Sequence, residues 1–208
     1  MDRAIFYIDG FNVYHGLKDA IELHNWGNYK WLDYQKLAEN LILDRRDIDL
    51  ITIKYFTARK KNDPDKVKRQ SDYLEVLHSL PKIKVYYGNY KKKCYEDKIT
   101  GQIHSYYVEK MTDVNIATQL LLDAFNNKCD IAYVVSGDSD LLPAFEAIRN
   151  EFQNLTLVAC FPPRRSLIEI TAICHHSRSL KERHFKKSLL PNTITINGNI
   201  IQRPSEWY

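Results

Sequence analysis

No stretch of this 208-residue sequence approaches the ~20 consecutive apolar residues that a membrane-spanning helix needs. Its N-terminus, Met1-Asp2-Arg3, runs directly into a short apolar segment. It lacks the basic region, long apolar stretch and small-residue cleavage site of a signal peptide. Neither membrane insertion nor secretion by that route is expected. Cysteine is scarce. Cys94, Cys129, Cys160 and Cys174 form no C-x-x-C pair, and no histidine follows at zinc-finger spacing. Free thiols in a reducing cytoplasm are the expectation. Internal repeats, low-complexity tracts and Pro/Gly/Ser linkers are also missing, which favours one domain. There is no G-x-S-x-G turn, so Ser136 and Ser139 do not read as activated nucleophiles. The first strand is followed by Asp9-Gly10-Phe11. That is neither a dinucleotide-binding G-x-G-x-x-G nor the D-x-D of haloacid-dehalogenase-type phosphatases.

What is present suffices for a packed core: 44% of residues are hydrophobic and 27% charged, outside the composition of disordered chains. The net charge of +4 is too small to define a partner, but its distribution is uneven. Seven Lys/Arg stand between Lys54 and Arg69 against Asp63 and Asp65, and five Lys with no acid stand between Lys82 and Lys93. Such blocks suit either a polyanion or a solvated surface.

The elements alternate. Ala4–Ile8, Leu50–Thr57, Ile83–Tyr87, Asp130–Val135 and Leu155–Phe161 read as strands, rich in β-branched or aromatic residues. Helices are expected over Phe11–Leu23, after Asp33, over Pro64–Leu80, over Asp113–Asn126 with Thr112 as cap, over Ser139–Phe152 and over Ser166–His176. Tyr90–Tyr95 and Ile103–Val108, with Gly101 between, read as a hairpin flap. Asn197-Gly198 marks a second hairpin near the end. Strands alternating with helices imply a parallel sheet covered on both faces. The main domain is assigned to 1–190, with a flap over 86–108 and a C-terminal hairpin and tail over 191–208 packed on it.

In such sheets ligands sit beyond the carboxyl ends of the strands, where strand order reverses. Two of those ends are acidic: Ile8-Asp9-Gly10-Phe11-Asn12 and Ser136-Gly137-Asp138-Ser139-Asp140. Asp113 opens a helix. Converging carboxylates repel unless a cation neutralises them, and an oxygen-only set suits Mg²⁺ or Mn²⁺. Taken singly, each has a plainer reading as turn former, helix cap or partner of a helix dipole.

The segments IDGFN, EKMTDVNIATQLLLDA and YVVSGDSDLLPAFEAIR, in that order and spacing, resemble the signature blocks of the NYN domain family, a branch of the PIN-like nuclease superfamily. The resemblance implies an α/β fold: a three-layer α/β/α Rossmann-like sandwich with sheet order 3-2-1-4-5. It also implies metal-dependent hydrolysis of RNA phosphodiester bonds, with Asp9, Asp113, Asp138 and Asp140 as the acidic site. Asn12 and Ser136 match the polar residues that accompany the acids. Lys110 matches a lysine placed to touch phosphate, and Glu109 carries no required role.

Other substrate-binding candidates come from the residues themselves. Lys91, Lys92 and Lys93 are interleaved with Tyr86, Tyr87, Tyr90, Tyr95, Tyr106 and Tyr107, a pattern suited to single-stranded nucleic acid. It suits equally a strand pair with lysines guarding its edge. Arg164 and Arg165 follow a strand end. His15 lies within a turn of Asn12, and His175-His176 closes a helix. The sequence is read as a Mg²⁺- or Mn²⁺-dependent, cytoplasmic ribonuclease acting on single-stranded RNA, with DNA as a further substrate. The alternative is an RNA-binding or regulatory module with little or no catalysis.

Overall fold

A computed structural model of the chain describes residues 1–43, 47–61, 63–98 and 100–208. The elements run β1 (Asp2–Asp9), α1 (Gly10–His24), α2 (Tyr34–Ile42), β2 (Ile48–Ala58), α3 (Pro64–Ser79), β3 (Ile83–Glu96) and β4 (Ile103–Lys110). They continue with α4 (Thr112–Phe125), β5 (Ile131–Val135), a 3-10 turn (Ser139–Leu141), α5 (Leu142–Glu151), β6 (Thr156–Phe161), α6 (Ile168–Ile173), β7 (His176–Ser179) and α7 (Glu182–Lys186). The hairpin β8 (Thr193–Ile196) and β9 (Asn199–Gln202) and a last 3-10 turn (Ser205–Trp207) follow. Seven strands form one sheet in the order β4-β3-β2-β1-β5-β6-β7, and β8 pairs with β9 separately. All pairings in the large sheet are parallel except β3 with β4. The five inner strands reproduce the expected 3-2-1-4-5 order.

The apolar run of β1 is continuous because both its faces are buried. Successive side chains alternate across the sheet. Ala4, Phe6 and Ile8 enter one core with Val13, Leu17, Leu37, Leu74 and Leu77 from α1, α2 and α3. Ile5 and Tyr7 enter the other with Ile116, Leu120, Phe145, Ile148 and Ile170 from α4, α5 and α6. Each fully buried Val, Leu, Ile or Phe among them contributes about 1.5–3 kcal/mol. One charge crosses the second layer. Lys54 on β2 pairs with Asp123 on α4 at 2.6 Å and donates to Gln119 Oε1 at 2.8 Å. The Tyr7 hydroxyl donates to the same Asp123 carboxylate at 2.6 Å.

Local signals hold where expected. Asp33 caps α2 through the Lys36 amide, Pro64 opens α3, and Asn197 and Gly198 turn the last hairpin with φ of 50° and 84°. Ile201 of that hairpin is buried in the first core.

Three details differ from the sequence reading. The helix expected over Ser166–His176 is only α6, because His176–Ser179 becomes an edge strand parallel to β6. Four exposed residues without alternation carry no strand signal, and pairing decides their state. The third strand and the first arm of the flap are one 14-residue strand, parallel to β2 up to Gly88 and antiparallel to β4 from Asn89. Thr112 is the first residue of α4 and not its cap; its hydroxyl donates back to Glu109, and Met111 precedes it at φ 80°. Among the described residues no helix is long and apolar enough to cross a membrane.

Candidate metal centre

Strand order reverses at β1. From it the chain moves outward to β2 and β3, then returns to β5 on its other side. Ile8 pairs with Val135, so the residues following β1 and β5 emerge side by side at the carboxyl edge. Asp9 ends β1 and Asp138 follows β5. Asp113 arrives from the first turn of α4. Each offers a carboxylate oxygen, and the three oxygens lie within 4.8 Å of one another.

Two glycines permit this approach. A Cβ on Gly10 would lie 2.5 Å from the Tyr55 hydroxyl and 2.8 Å from the Phe56 carbonyl oxygen. A Cβ on Gly137 would lie 1.6 Å from the Arg165 carbonyl oxygen. Both contacts are impossible for any other residue without moving the backbone.

The carboxylates are held by a chain of hydrogen bonds. Asp9 is 3% exposed. Its Oδ1 accepts from the Asn12 amide at 2.9 Å and its Oδ2 from the Ser136 hydroxyl at 2.9 Å. Ser136 Oγ accepts from the Asp138 amide at 3.1 Å, and Asp138 Oδ1 accepts from the Asp140 amide at 3.0 Å. Asn12 Oδ1 accepts from the Gly137 amide at 3.0 Å. Asn12 and Ser136 thus tie the ends of β1 and β5 together. Burial raises the Asp9 carboxyl to about 7 despite these donors, and Asp113 and Asp138 add to the rise. Burial and the charges of Asp138, Glu109 and Asp140 raise Asp113 to about 6. Acids that resist ionisation together are what a divalent cation relieves, and the donor set is oxygen only.

The acids line an open recess of about 410 Å³ with Phe11, Asn12, His15, Glu109 and Arg165. Arg165 is held by Asp19 at 2.6 Å, while its Nε is buried without a hydrogen-bond partner among the described residues. Burial, with Arg165 nearby, lowers the pKa of His15.

The remaining candidates are spread more widely. Asp140 is exposed beside the trio without joining it, and Ser136 is buried behind it. Pleating puts Glu109 on the recess side of β4 and its neighbour Lys110 on the opposite face. On β3, Tyr90 packs against Phe11, with ring centroids 6.2 Å apart, so of the three exposed lysines Lys92 shares its face while Lys91 and Lys93 point the other way. Arg164 is exposed, at φ 59°, near His24. His175 accepts the Leu157 amide and lies outside the recess. Tyr86 stacks on Phe56, and Tyr95 on His104.

A second chamber, of about 280 Å³, adjoins the recess through Phe11, His15 and Glu109. Sequence reasoning missed it. Its aromatic rings come from α1, α2, β2, α3, β3 and the last turn, and no local pattern announces that convergence.

An α/β/α domain with clustered carboxylates at its switch point defines a Rossmann-like domain of the PIN-like class, with a site able to hold a divalent cation. The sequence profile of the NYN domain family, which is nuclease-like, matches residues 3–188, and the chain belongs to that family. It is 30% identical over 179 residues to the 6-hydroxy-3-succinoylpyridine 3-monooxygenase HspA of Pseudomonas putida strain S16, a match covering 71% of this chain. The chain spans only about half of that relative, 55% of its length. The fold is shared with a protein of unknown function from Vibrio parahaemolyticus, whose crystal structure aligns with a TM-score of 0.57 at 18% identity. That alignment covers 91% of this chain and 96% of the other.

Proposed function

We propose that the protein is a Mg²⁺- or Mn²⁺-dependent ribonuclease that hydrolyses phosphodiester bonds of single-stranded RNA. One observation carries this reading: three carboxylates from three separate elements meet within 4.8 Å at the switch point of a nuclease-like fold. Asp9, Asp113 and Asp138 would hold the cation, and Asp140 stands beside them to orient water. A divalent ion in such a set supplies an activated water and neutralises phosphoryl charge. The protein's own groups complete the site. Ser136 and the Asn12 amide fix both Asp9 oxygens towards their neighbours. Arg165, which lines the recess, would meet a phosphate oxygen through its guanidinium group. Lys92 and Tyr107 extend the same face along the flap as a track for the strand. Free thiols, three of them buried, fit a reducing cytoplasm.

The activity named for the P. putida relative belongs to a protein of which this chain spans about half. The clustered acids and the nuclease-like family favour phosphodiester chemistry here.

The test is incubation of the purified chain with labelled single-stranded RNA and DNA in Mg²⁺, Mn²⁺ or EDTA, beside Asp138→Asn. Cleavage of RNA that needs metal and falls at least ~10²-fold in the variant is expected, because a ligand to the phosphoryl-transfer centre is weakened. Tight RNA binding without metal-dependent turnover would instead make the chain a binding module.

A further inference from the structure

The aromatic chamber next to the carboxylates has no part in holding a cation, yet it opens into the same recess. Its walls carry Phe11, Tyr14, Tyr90 and Trp207, and its floor carries Tyr34, Tyr55 and Tyr73. The floor hydroxyls are taken up within the protein. Tyr73 donates to the Leu32 carbonyl at 2.6 Å, and Tyr55 bonds to Tyr34 and Thr57. Gln70 is occupied at both ends of its amide, by the Lys60 amide at 2.8 Å and the Ala58 carbonyl at 2.9 Å. Ring faces therefore remain, with few groups free to read a ligand's edge.

The rim is cationic. Lys66 pairs with Asp63 and Arg69 with Glu206, but no carboxylate pairs with Lys30 or Lys60 among the described residues. Lys30 is half-buried, its Nζ 5.5 Å from the centroid of the Tyr14 ring, and burial lowers its pKa. Two ammonium groups without a carboxylate partner among the described residues, one of them over the Tyr14 ring, stand beside further aromatic rings and suit a flat ligand ring that carries an anionic group. About 280 Å³ is small for a ligand pocket and admits one base with its sugar, not a base pair.

We propose that this chamber receives one unpaired nucleobase of the nucleic-acid substrate against Phe11, Tyr14 and Tyr90, with Lys30 and Lys60 holding the adjoining phosphates. The proposal rests on the nuclease reading and specifies its substrate. Phe11, His15 and Glu109 line both spaces, so a base in the chamber leaves its backbone phosphate beside the carboxylates. A duplex keeps its bases stacked and paired, which restricts the site to single strands. Stacking with little edge readout makes it tolerant of base identity.

The test is titration of the full chain, in EDTA, with the four ribonucleoside 5′-monophosphates, read by tryptophan fluorescence. Saturable binding of all four within about tenfold of one another is expected. Tyr90→Ala and Lys30→Ala should each weaken it at least ~5-fold, while Tyr90→Phe should retain it. Lys30 stands on a different segment from the flap, so its variant remains informative if Tyr90→Ala disturbs folding. Undetectable nucleotide binding, or binding unchanged in both alanine variants, overturns the proposal. So does ribose 5-phosphate binding as tightly as the nucleotides, which would leave only an anion site. Preferential binding of a small aromatic carboxylate such as nicotinate would assign the chamber to a free metabolite and overturn it too. Nucleotide binding that persists while RNA cleavage is absent sinks the nuclease reading alone.

Discussion

The burial of Asp9 makes a measurable claim about stability. Its carboxyl half-protonates at 3.8 in an open chain and at about 7 in the fold, chiefly because burial penalises the anion. At ~1.4 kcal/mol per pH unit, the ionised form costs the metal-free protein roughly 4 kcal/mol. The sign follows from linkage. A carboxyl whose pKa is raised by folding stabilises the fold below about 4, and that contribution is lost as pH rises towards about 7. Asp9→Asn removes the titration. The amide oxygen can still accept the Asn12 amide at the Oδ1 position, and its NH₂ can donate to Ser136 Oγ, leaving that hydroxyl's proton unplaced at a cost of about 1 kcal/mol. Relative to wild type in EDTA, the variant should gain about 3 kcal/mol between pH 5 and pH 8. Urea unfolding of both proteins at the two pH values measures this directly. Adding Mn²⁺ at pH 8 should reverse the order, stabilising wild type well above the variant. A difference between the proteins that is the same at pH 5 and pH 8 would refute the argument.

Gly137→Ala should destabilise the fold by a few kcal/mol and weaken Mn²⁺ binding, because the new methyl meets the Arg165 carbonyl at 1.6 Å; thermal unfolding with and without Mn²⁺ checks both. Asp123→Ala leaves the Lys54 ammonium buried without its counter-charge and should cost about 3–5 kcal/mol in urea unfolding, with no direct contact to the acidic recess. Lys92→Ala should weaken RNA binding and reduce its dependence on salt concentration by about one phosphate contact, while Lys91→Ala and Lys93→Ala should change the salt slope less. An identical slope for all three variants would detach the flap from the substrate path.

The fold was legible where hydrophobic period and turn chemistry agreed. The β1 and β5 runs, the Asp33 cap, Pro64 and Asn197-Gly198 each carry their own local instruction. The acidic trio was legible because the ends of parallel strands are where ligands bind, and because Asp9 and Asp138 stand directly after apolar runs. The β7 edge was not, since His176–Ser179 owes its state to hydrogen bonds with β6. Nor was the direction of each lysine on β3. That depends on which face of the flap meets α1, a matter settled by Phe11 against Tyr90. The aromatic chamber was invisible for the same reason, as Tyr14, Tyr55, Tyr73 and Trp207 lie far apart in the chain.

The central place of β1 also sets an order of events during synthesis. Its first neighbour, β2, is complete by Ala58, but its second, β5, spans Ile131–Val135. Asp9 therefore waits 127 residues for Ser136 to lock its second oxygen, and slightly longer for Asp138 to join it. Contacts of such sequence separation form late. A nascent chain still emerging from the ribosome carries Asp9 and then Asp113 before Asp138 can join them. The carboxylate cluster therefore closes only once β5 and the residues just beyond it have been made and have folded against β1.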